Sequence, residues 1–225
     1  IMEKLDKKTL VWIAIGIGAI WGLSEALIGM SMRDTSVYFI TGSLMTGLVV
    51  LLLSFGYASI KKFSLLFIAL GMVILFKLLD AFMLHLPVVH GAVGNPIFAM
   101  VVELLAFVFV FTIIRKDLLK KIYGLAISGG LFALISISVF PLVKYFTGVP
   151  ACVVKGTTYP LSIYYSPIAI GLSAIAFPVG TLLGARFAEF LSSEKSLSEK
   201  LPLKVRWALQ GATVIMVSLA VLIRL

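Results

Sequence analysis

Residues 63–86, FSLLFIALGMVILFKLLDAFMLHL, form a long apolar run that carries only two formal charges, Lys77 and Asp80. A helix needs roughly 20 mostly apolar residues to cross the hydrocarbon core of a bilayer. The run is too long for a strand of an outer-membrane barrel, and it lacks the alternating pattern of such a strand. It therefore predicts a transmembrane helix.

Further stretches of the same kind fill most of the chain on both sides of this run. The predicted spans are 9–31, 36–57, 63–86, 96–114, 122–146, 167–190 and 204–224. Hydrophobic residues make up 61% of the 225 residues and charged residues 13%, whereas charged residues make up about 25% of an ordinary soluble domain. The sequence predicts an all-α polytopic membrane protein with about seven transmembrane helices. Residues 1–190 are expected to form a six-helix core, and residues 191–225 a cytoplasmic linker and a seventh helix.

The net charge of +9 is concentrated in alternate connections between the spans. One side holds Lys4, Lys7, Lys8, Lys61, Lys62, Arg115, Lys116, Lys120, Lys121, Arg186, Lys195, Lys200, Lys204 and Arg206; the other holds Arg33, Lys144, Lys155 and Arg224. By the positive-inside rule the N-terminus is cytoplasmic and the C-terminus external, in the cell (inner) membrane. The charge thus indicates topology and contact with anionic lipid rather than nucleic acid. The first span lacks a small-residue cleavage site, so we interpret it as a retained helix and not as a signal peptide.

Three helix starts are predicted on the outer side from capping residues. Asn95-Pro96 is typical of an N-cap followed by proline at the first helical position, and Ser166-Pro167 repeats the arrangement. Asp34, Thr35 and Ser36 are candidate caps of the second span.

Ionisable residues inside spans are costly and usually functional. Glu25, Lys77, Asp80 and Glu103 all lie in the outer halves of their spans, and the inner halves carry almost no charge. This profile predicts a solute-binding cavity open to the outside and sealed towards the cytoplasm. The candidate substrate-binding residues are Glu25, Lys77, Asp80, His85, Asn95 and Glu103. The alternatives are that Lys77 and Asp80 only neutralise each other, that the glutamates hydrogen-bond a neighbouring helix, and that His85 is an interfacial residue.

Other kinds of site have little support in the sequence. His85, His90 and Cys152 lack the spacing of a zinc site, and no Walker, dinucleotide-binding or nucleophile-elbow motif is present. We therefore predict no enzyme activity, no cofactor and no metal, and we assign any ATPase to another chain. Cys152, the single cysteine, is interpreted as a small loop residue, with a reactive thiol as the alternative. The sequence favours neither a cationic nor an anionic solute, because four acidic and four basic residues lie in the outer half. The acidic residues are Glu25, Asp34, Asp80 and Glu103, and the basic residues are Arg33, Lys77, Lys144 and Lys155.

A ridge of small residues follows one face of the first span. Ala14, Gly18, Gly22 and Ala26 recur every four residues, and Gly180, Gly184 and Ala188 repeat the pattern in the sixth span. Such a ridge lets another helix approach closely. It is compatible with packing inside the chain and with docking of a partner protein.

Together these features resemble the substrate-binding S component of an energy-coupling-factor transporter, over about residues 9–190. The resemblance rests on small size, a cytoplasmic N-terminus, the ridge of the first span, polar residues in the outer half and a tyrosine-rich outer loop region. It implies that Ala14, Gly18, Gly22 and Ala26 contact a transmembrane coupling subunit and that two ATPase subunits supply energy. It also implies that the chain binds a vitamin, a related micronutrient or a metal ion. The seventh span departs from the family pattern, and no signature of one substrate is present.

The main alternative is a membrane-anchor, quinone-interacting subunit of a respiratory or redox complex, with redox subunits as partners. A lipid-handling or channel-like protein is a third class. A transporter subunit predicts a closed outer cavity that buries a polar solute, whereas a quinone anchor predicts an apolar slot open to lipid.

Overall fold

A computed structural model of the chain describes residues 7–31, 40–193 and 201–223. Its helices are α1 (Lys7–Ser31), α2 (Thr41–Ile60), α3 (Phe63–Met83), α4 (Gly94–Ile113), α5 (Ile122–Val139), α6 (Lys144–Thr147), α7 (Leu161–Tyr164), α8 (Ser166–Ser193) and α9 (Leu201–Leu222). A 3₁₀ turn, Phe140–Val143, joins α5 to α6. Apart from one isolated bridge, Val153 to Pro160, these described ranges contain no β-structure.

Seven helical segments of the described chain are long and apolar enough to cross a membrane. They are α1, α2, α3, α4, the continuous segment from α5 to α6, α8 and α9. The prediction of an all-α polytopic protein with about seven spans is therefore confirmed.

The helix starts differ in detail from the predicted caps. α4 begins at Gly94 after Val93, so Asn95 and Pro96 lie inside the first turn and the prediction of Asn95 as N-cap was wrong. The Asn95 side chain instead accepts a hydrogen bond from the Thr147 hydroxyl. α8 begins at Ser166 itself, one residue earlier than predicted. The candidate caps Asp34, Thr35 and Ser36 lie outside the described residues.

The helices pack in two groups that share α4. On one side α1 lies between α3 and α9, and on the other α8 lies between α2 and α5. α4 packs against α5, α3 and α2, and α1 also contacts α2, which joins the two groups. α2 is the most buried of the seven candidate spans and α9 the least buried. The seventh span is therefore a peripheral helix that reaches the bundle mainly through α1.

Glycines lie where the helices approach most closely. A Cβ on Gly18 of α1 would overlap the backbone of Ala69 in α3. On α8, a Cβ on Gly184 would lie 2.9 Å from the Cβ of Ala58 in α2 and would collide with the Phe55 carbonyl. Close backbone approach of this kind is how transmembrane helices gain packing where lipid removes the hydrophobic driving force.

The bundle has two chemically different faces. The basic face holds the start of α1, the turn between α2 and α3 and the connection between α4 and α5, and thus the described residues Lys7, Lys8, Lys61, Lys62, Arg115, Lys116, Lys120 and Lys121. The opposite face, which we name the cavity face, holds the end of α3, the start of α4 and residues 140–165. Lys4, Arg33, Lys195, Lys200 and Arg224 from the topology prediction lie outside the described residues.

Candidate functional site

A cavity of about 350 Å³ opens among the helix ends at the cavity face. Its wall is built from the last turns of α1, the first half of α2, the first half of α4, the end of α5 and residues 152–165. This volume lies within the range of small-molecule binding pockets. Much of the wall is apolar, with Met45, Val49, Met100, Ile137 and Phe140 among its side chains.

Two of the predicted carboxylates, Glu25 of α1 and Glu103 of α4, line this cavity. Glu103 is buried, and the Thr46 hydroxyl of α2 donates a hydrogen bond of 3.1 Å to its Oε1. The packing of α2 against α4 therefore places a neutral hydrogen-bond donor, the Thr46 hydroxyl, at the Glu103 carboxylate. No described basic side chain lies within ion-pair distance of Glu103.

Glu25 belongs to a second group that extends behind the cavity wall. Lys77 of α3 lies 3.2 Å from Oε1 of Glu25 and 3.4 Å from Oδ2 of Asp80. All three side chains are 14% exposed or less. Lys77 thus bridges two carboxylates from α1 and α3, and neither Lys77 nor Asp80 is part of the cavity wall. The structure brings Glu25, Lys77 and Asp80 together, as their common depth suggested, but only Glu25 reaches the cavity.

Among the described residues, the side chains of the cavity wall include four buried polar atoms without a hydrogen-bond partner. They are Nε1 of Trp21, Oγ1 of Thr41, Oγ of Ser136 and Oγ of Ser162. Buried polar groups are paired in most proteins, since an unpaired one costs about 1–3 kcal/mol. Their residues belong to α1, α2, α5 and α7 and all line the cavity, although the four polar atoms themselves have almost no accessible surface.

The remaining predicted binding residues have separate positions. Asn95 lines the cavity, and its Oδ1 accepts a hydrogen bond of 3.1 Å from the Thr147 hydroxyl, which ties α4 to α6. His85 is exposed, does not line the cavity and adopts a left-handed conformation with φ of 52°. The amide of Leu86 then bonds the carbonyl of Ala81 at 2.9 Å, and His85 thereby ends α3 in a Schellman turn. Cys152 lines the cavity and is exposed.

The small-residue ridge of α1 is covered by the chain's own helices. Ala14, Gly18, Gly22 and Ala26 are all buried. A Cβ on Gly22 would lie 2.5 Å from Cγ of Phe76 in α3, and Gly18 packs on Ala69 and Met72 of the same helix. The ridge residues therefore pack within this chain, because α3 occupies the groove in which a coupling subunit was expected.

Below the cavity, towards the basic face, the described interior is filled by an aromatic cluster of Tyr57, Phe63, Phe107, Phe111, Phe132 and Phe177. The ring centroids of Tyr57 and Phe63 are 4.4 Å apart, and those of Phe107 and Phe177 are 5.6 Å apart. Phe107 lies one turn below Glu103 on α4 and is fully buried. This packing closes the described interior below the site, in line with the predicted lack of charge there.

The sequence reasoning missed several residues of the wall. Trp21 precedes Glu25 by four residues, so the two share a helix face, and that spacing was a usable signal. Thr46, Ser136 and Ser162 are single hydroxyls in apolar or loop sequence, and no spacing distinguishes them from ordinary helix-packing residues. Only the fold shows that they meet at one cavity.

Comparison with known proteins identifies no relative, since no family model, curated protein or solved structure matches this chain. Nor does the described part of the chain bring together three His, Cys, Asp or Glu side chains that could hold a metal ion.

Proposed function

We propose that this membrane protein binds a small solute in the cavity and acts as the substrate-binding subunit of a micronutrient uptake transporter in the cell membrane. One observation carries the proposal: the carboxylates Glu25 and Glu103, with the hydroxyl of Thr46, line a cavity of about 350 Å³ at one face of the bundle. Carboxylates and hydroxyls in the wall of such a cavity suit a polar solute, because they can replace hydrogen bonds that the solute loses with water.

The wall chemistry favours this function over a quinone-binding anchor. A quinone site needs an apolar slot with access from lipid, whereas Glu25, Glu103 and several hydroxyl side chains line a partly open cavity among five described chain segments. The aromatic cluster also argues against a channel, since Phe107 and its neighbours fill the described interior below the cavity. Binding at one face, with transport left to a partner, suits this arrangement.

The proposed partners are a transmembrane coupling subunit and ATPase subunits, as in energy-coupling-factor transporters. The sequence has no nucleotide-binding motif, so the energy source belongs to other chains. Because α3 covers the ridge of α1, a coupling subunit would have to use a different surface of the bundle from Gly18 and Gly22.

Native mass spectrometry of the gently purified protein tests the proposal. We expect a co-purified solute of low mass that is lost from Ala99→Phe, because Ala99 lines the cavity and a phenyl ring there fills part of it. Ala208→Phe is the matched control, since Ala208 is exposed on the peripheral helix α9. A protein that carries a quinone, or whose adduct survives Ala99→Phe in the folded state, would contradict solute binding in this cavity.

A further inference from the structure

The charges that face the cavity are of one sign. Among the described residues, Glu25 and Glu103 are the only Asp, Glu, Lys, Arg or His side chains in its wall. By sequence position, four acidic and four basic residues lie in this half of the protein, and of the described ones only Glu25 and Glu103 line the cavity. A site that is lined by carboxylates alone attracts a positively charged ligand and repels an anion.

The described basic residues of the same half do not line the cavity. Lys77 is held between Glu25 and Asp80 and does not line the cavity. Lys144 is exposed, with its ammonium 4.8 Å from the ring centroid of Tyr145, and Lys155 is exposed in the loop that follows.

The rest of the wall selects an organic ligand over a bare metal ion. Calcium and magnesium need about six oxygen ligands at short range, and the described residues offer no cluster of three acidic or metal-binding side chains. The apolar part of the wall, including Met45, Val49 and Phe140, matches a hydrocarbon or aromatic body.

We propose that the solute is a small organic cation: a protonated or quaternary amine with an apolar body. The inference rests on the proposed function and adds the substrate class. Its positive group lies between Glu25 and Glu103, and its apolar body lies against the methionines and Phe140. The cavity volume equals that of about a dozen water molecules in the liquid, which fits one ring system with short substituents.

The single cysteine provides a readout inside the site. Cys152 lines the cavity and is exposed, so a bound molecule should slow its alkylation by N-ethylmaleimide, measured by intact-protein mass spectrometry. Three probes of similar shape differ in charge: 2-phenylethylammonium, 2-phenylethanol and 3-phenylpropionate. We expect the ammonium to protect Cys152 at concentrations at least about tenfold lower than the alcohol, the scale of one charged hydrogen bond, and the carboxylate to protect least. Equal protection by all three, or none by any, overturns the cation assignment.

Variants that remove one carboxylate charge test which residue causes the stronger protection of Cys152 by the ammonium probe. Glu103→Gln should reduce the advantage of the ammonium over the alcohol by about tenfold, and Glu25→Gln, which leaves the Lys77–Asp80 pair intact, provides a second variant if the first does not fold. The matched control is Glu189→Gln, an exposed glutamate near the basic face, which should leave the advantage unchanged. An unchanged advantage in both folded cavity variants overturns the proposal. A co-purified anionic or neutral solute that Ala99→Phe removes would overturn the cation while the proposed function stands.

Discussion

At the scale of single residues, Gly22 shows what a small residue contributes to a membrane helix. Phe76 of α3 lies so close to Gly22 that a Cβ would meet its ring at 2.5 Å. The backbones of α1 and α3 can approach this closely only because no side chain intervenes. Gly71 of α3 is the contrasting case, since nothing lies within 4 Å of its Cβ position.

We therefore expect Gly22→Leu to destabilise the fold, whereas Gly71→Leu should be tolerated. Overpacking a filled contact costs about 1–3 kcal/mol or more, because neighbouring side chains and backbone must move. The measurement is thermal unfolding of both variants in the same detergent. Equal melting temperatures for Gly22→Leu and the unmodified protein would mean that α1 and α3 do not meet at this point.

Lys77 is the residue on which the buried charges depend. Its ammonium lies 3.2 Å from Glu25 and 3.4 Å from Asp80 with little exposure to solvent. Removing one partner of a buried ion pair leaves an uncompensated charge, which costs about 3–5 kcal/mol. The exposed pair Lys120–Asp117, at 3.7 Å, is the natural comparison, since exposed pairs contribute about 0.2–1 kcal/mol.

We accordingly expect Lys77→Met to destabilise strongly and Lys120→Met hardly at all, as measured by unfolding in detergent. Combining Lys77→Met with Glu25→Gln and Asp80→Asn should restore much of the loss, because the two charges that the ammonium of Lys77 offsets are then removed as well. If the triple variant is no more stable than Lys77→Met, the loss arises from packing of the lysine stem and not from charge.

The sequence predicted part of this site, and its limits have a physical reason. Common depth along the spans identified Glu25, Lys77, Asp80 and Glu103, since depth follows from the rise per residue of a helix. The rotation of each helix about its axis does not follow from sequence position, and that rotation directs Glu103 into the cavity and Lys77 behind its wall. Ser136 and Ser162 are isolated hydroxyl residues, and no sequence pattern indicated that they line the cavity.

At the scale of helices, the spans were predictable because bilayer thickness sets their length. The predicted bounds 63–86 and 122–146 compare with Phe63–Met83 and with the segment from Ile122 to Thr147. The ends were less predictable, since they depend on tertiary contacts such as the hydrogen bond from Thr147 to Asn95. Nor did the sequence show which helix fills the groove of α1.

Removal of helix α9 tests whether binding at the cavity depends on this peripheral helix. It packs on α1, where Leu209 lies 3.1 Å from the Cβ position of Gly16, and Ala220 clusters with Ala19 and Phe76. None of the described residues of α9 lines the cavity.

A chain that ends at Ser193 should therefore keep the protection of Cys152 by 2-phenylethylammonium. Its melting temperature should fall only modestly, because lipid replaces the apolar contacts of α9 on α1. Loss of protection in a folded, shortened chain would assign α9 a part in shaping the site.

At the scale of the whole molecule, the two faces of the bundle differ in charge and in chemistry. The basic face presents lysines and arginines at three described connections, and the cavity opens at the other face. By the positive-inside rule we predict that the basic face is cytoplasmic and that the proposed solute enters the cavity from outside. A test of the orientation of the bundle in the membrane is therefore also a test of the side from which the solute is bound.

Cysteine labelling tests this orientation, and the chain provides its own external reporter. Native Cys152 is exposed at the cavity face, so a membrane-impermeant maleimide should label it in intact cells. In a Cys152→Ser background, Lys155→Cys should also be labelled in intact cells, whereas Lys61→Cys and Lys116→Cys on the basic face should react only after permeabilisation. The physical reason is that clustered lysines and arginines are retained on the cytoplasmic side during insertion. The reverse pattern, with position 61 labelled in intact cells and position 155 protected, would invert the protein and make the cavity face the cytoplasm, which excludes capture of an external solute.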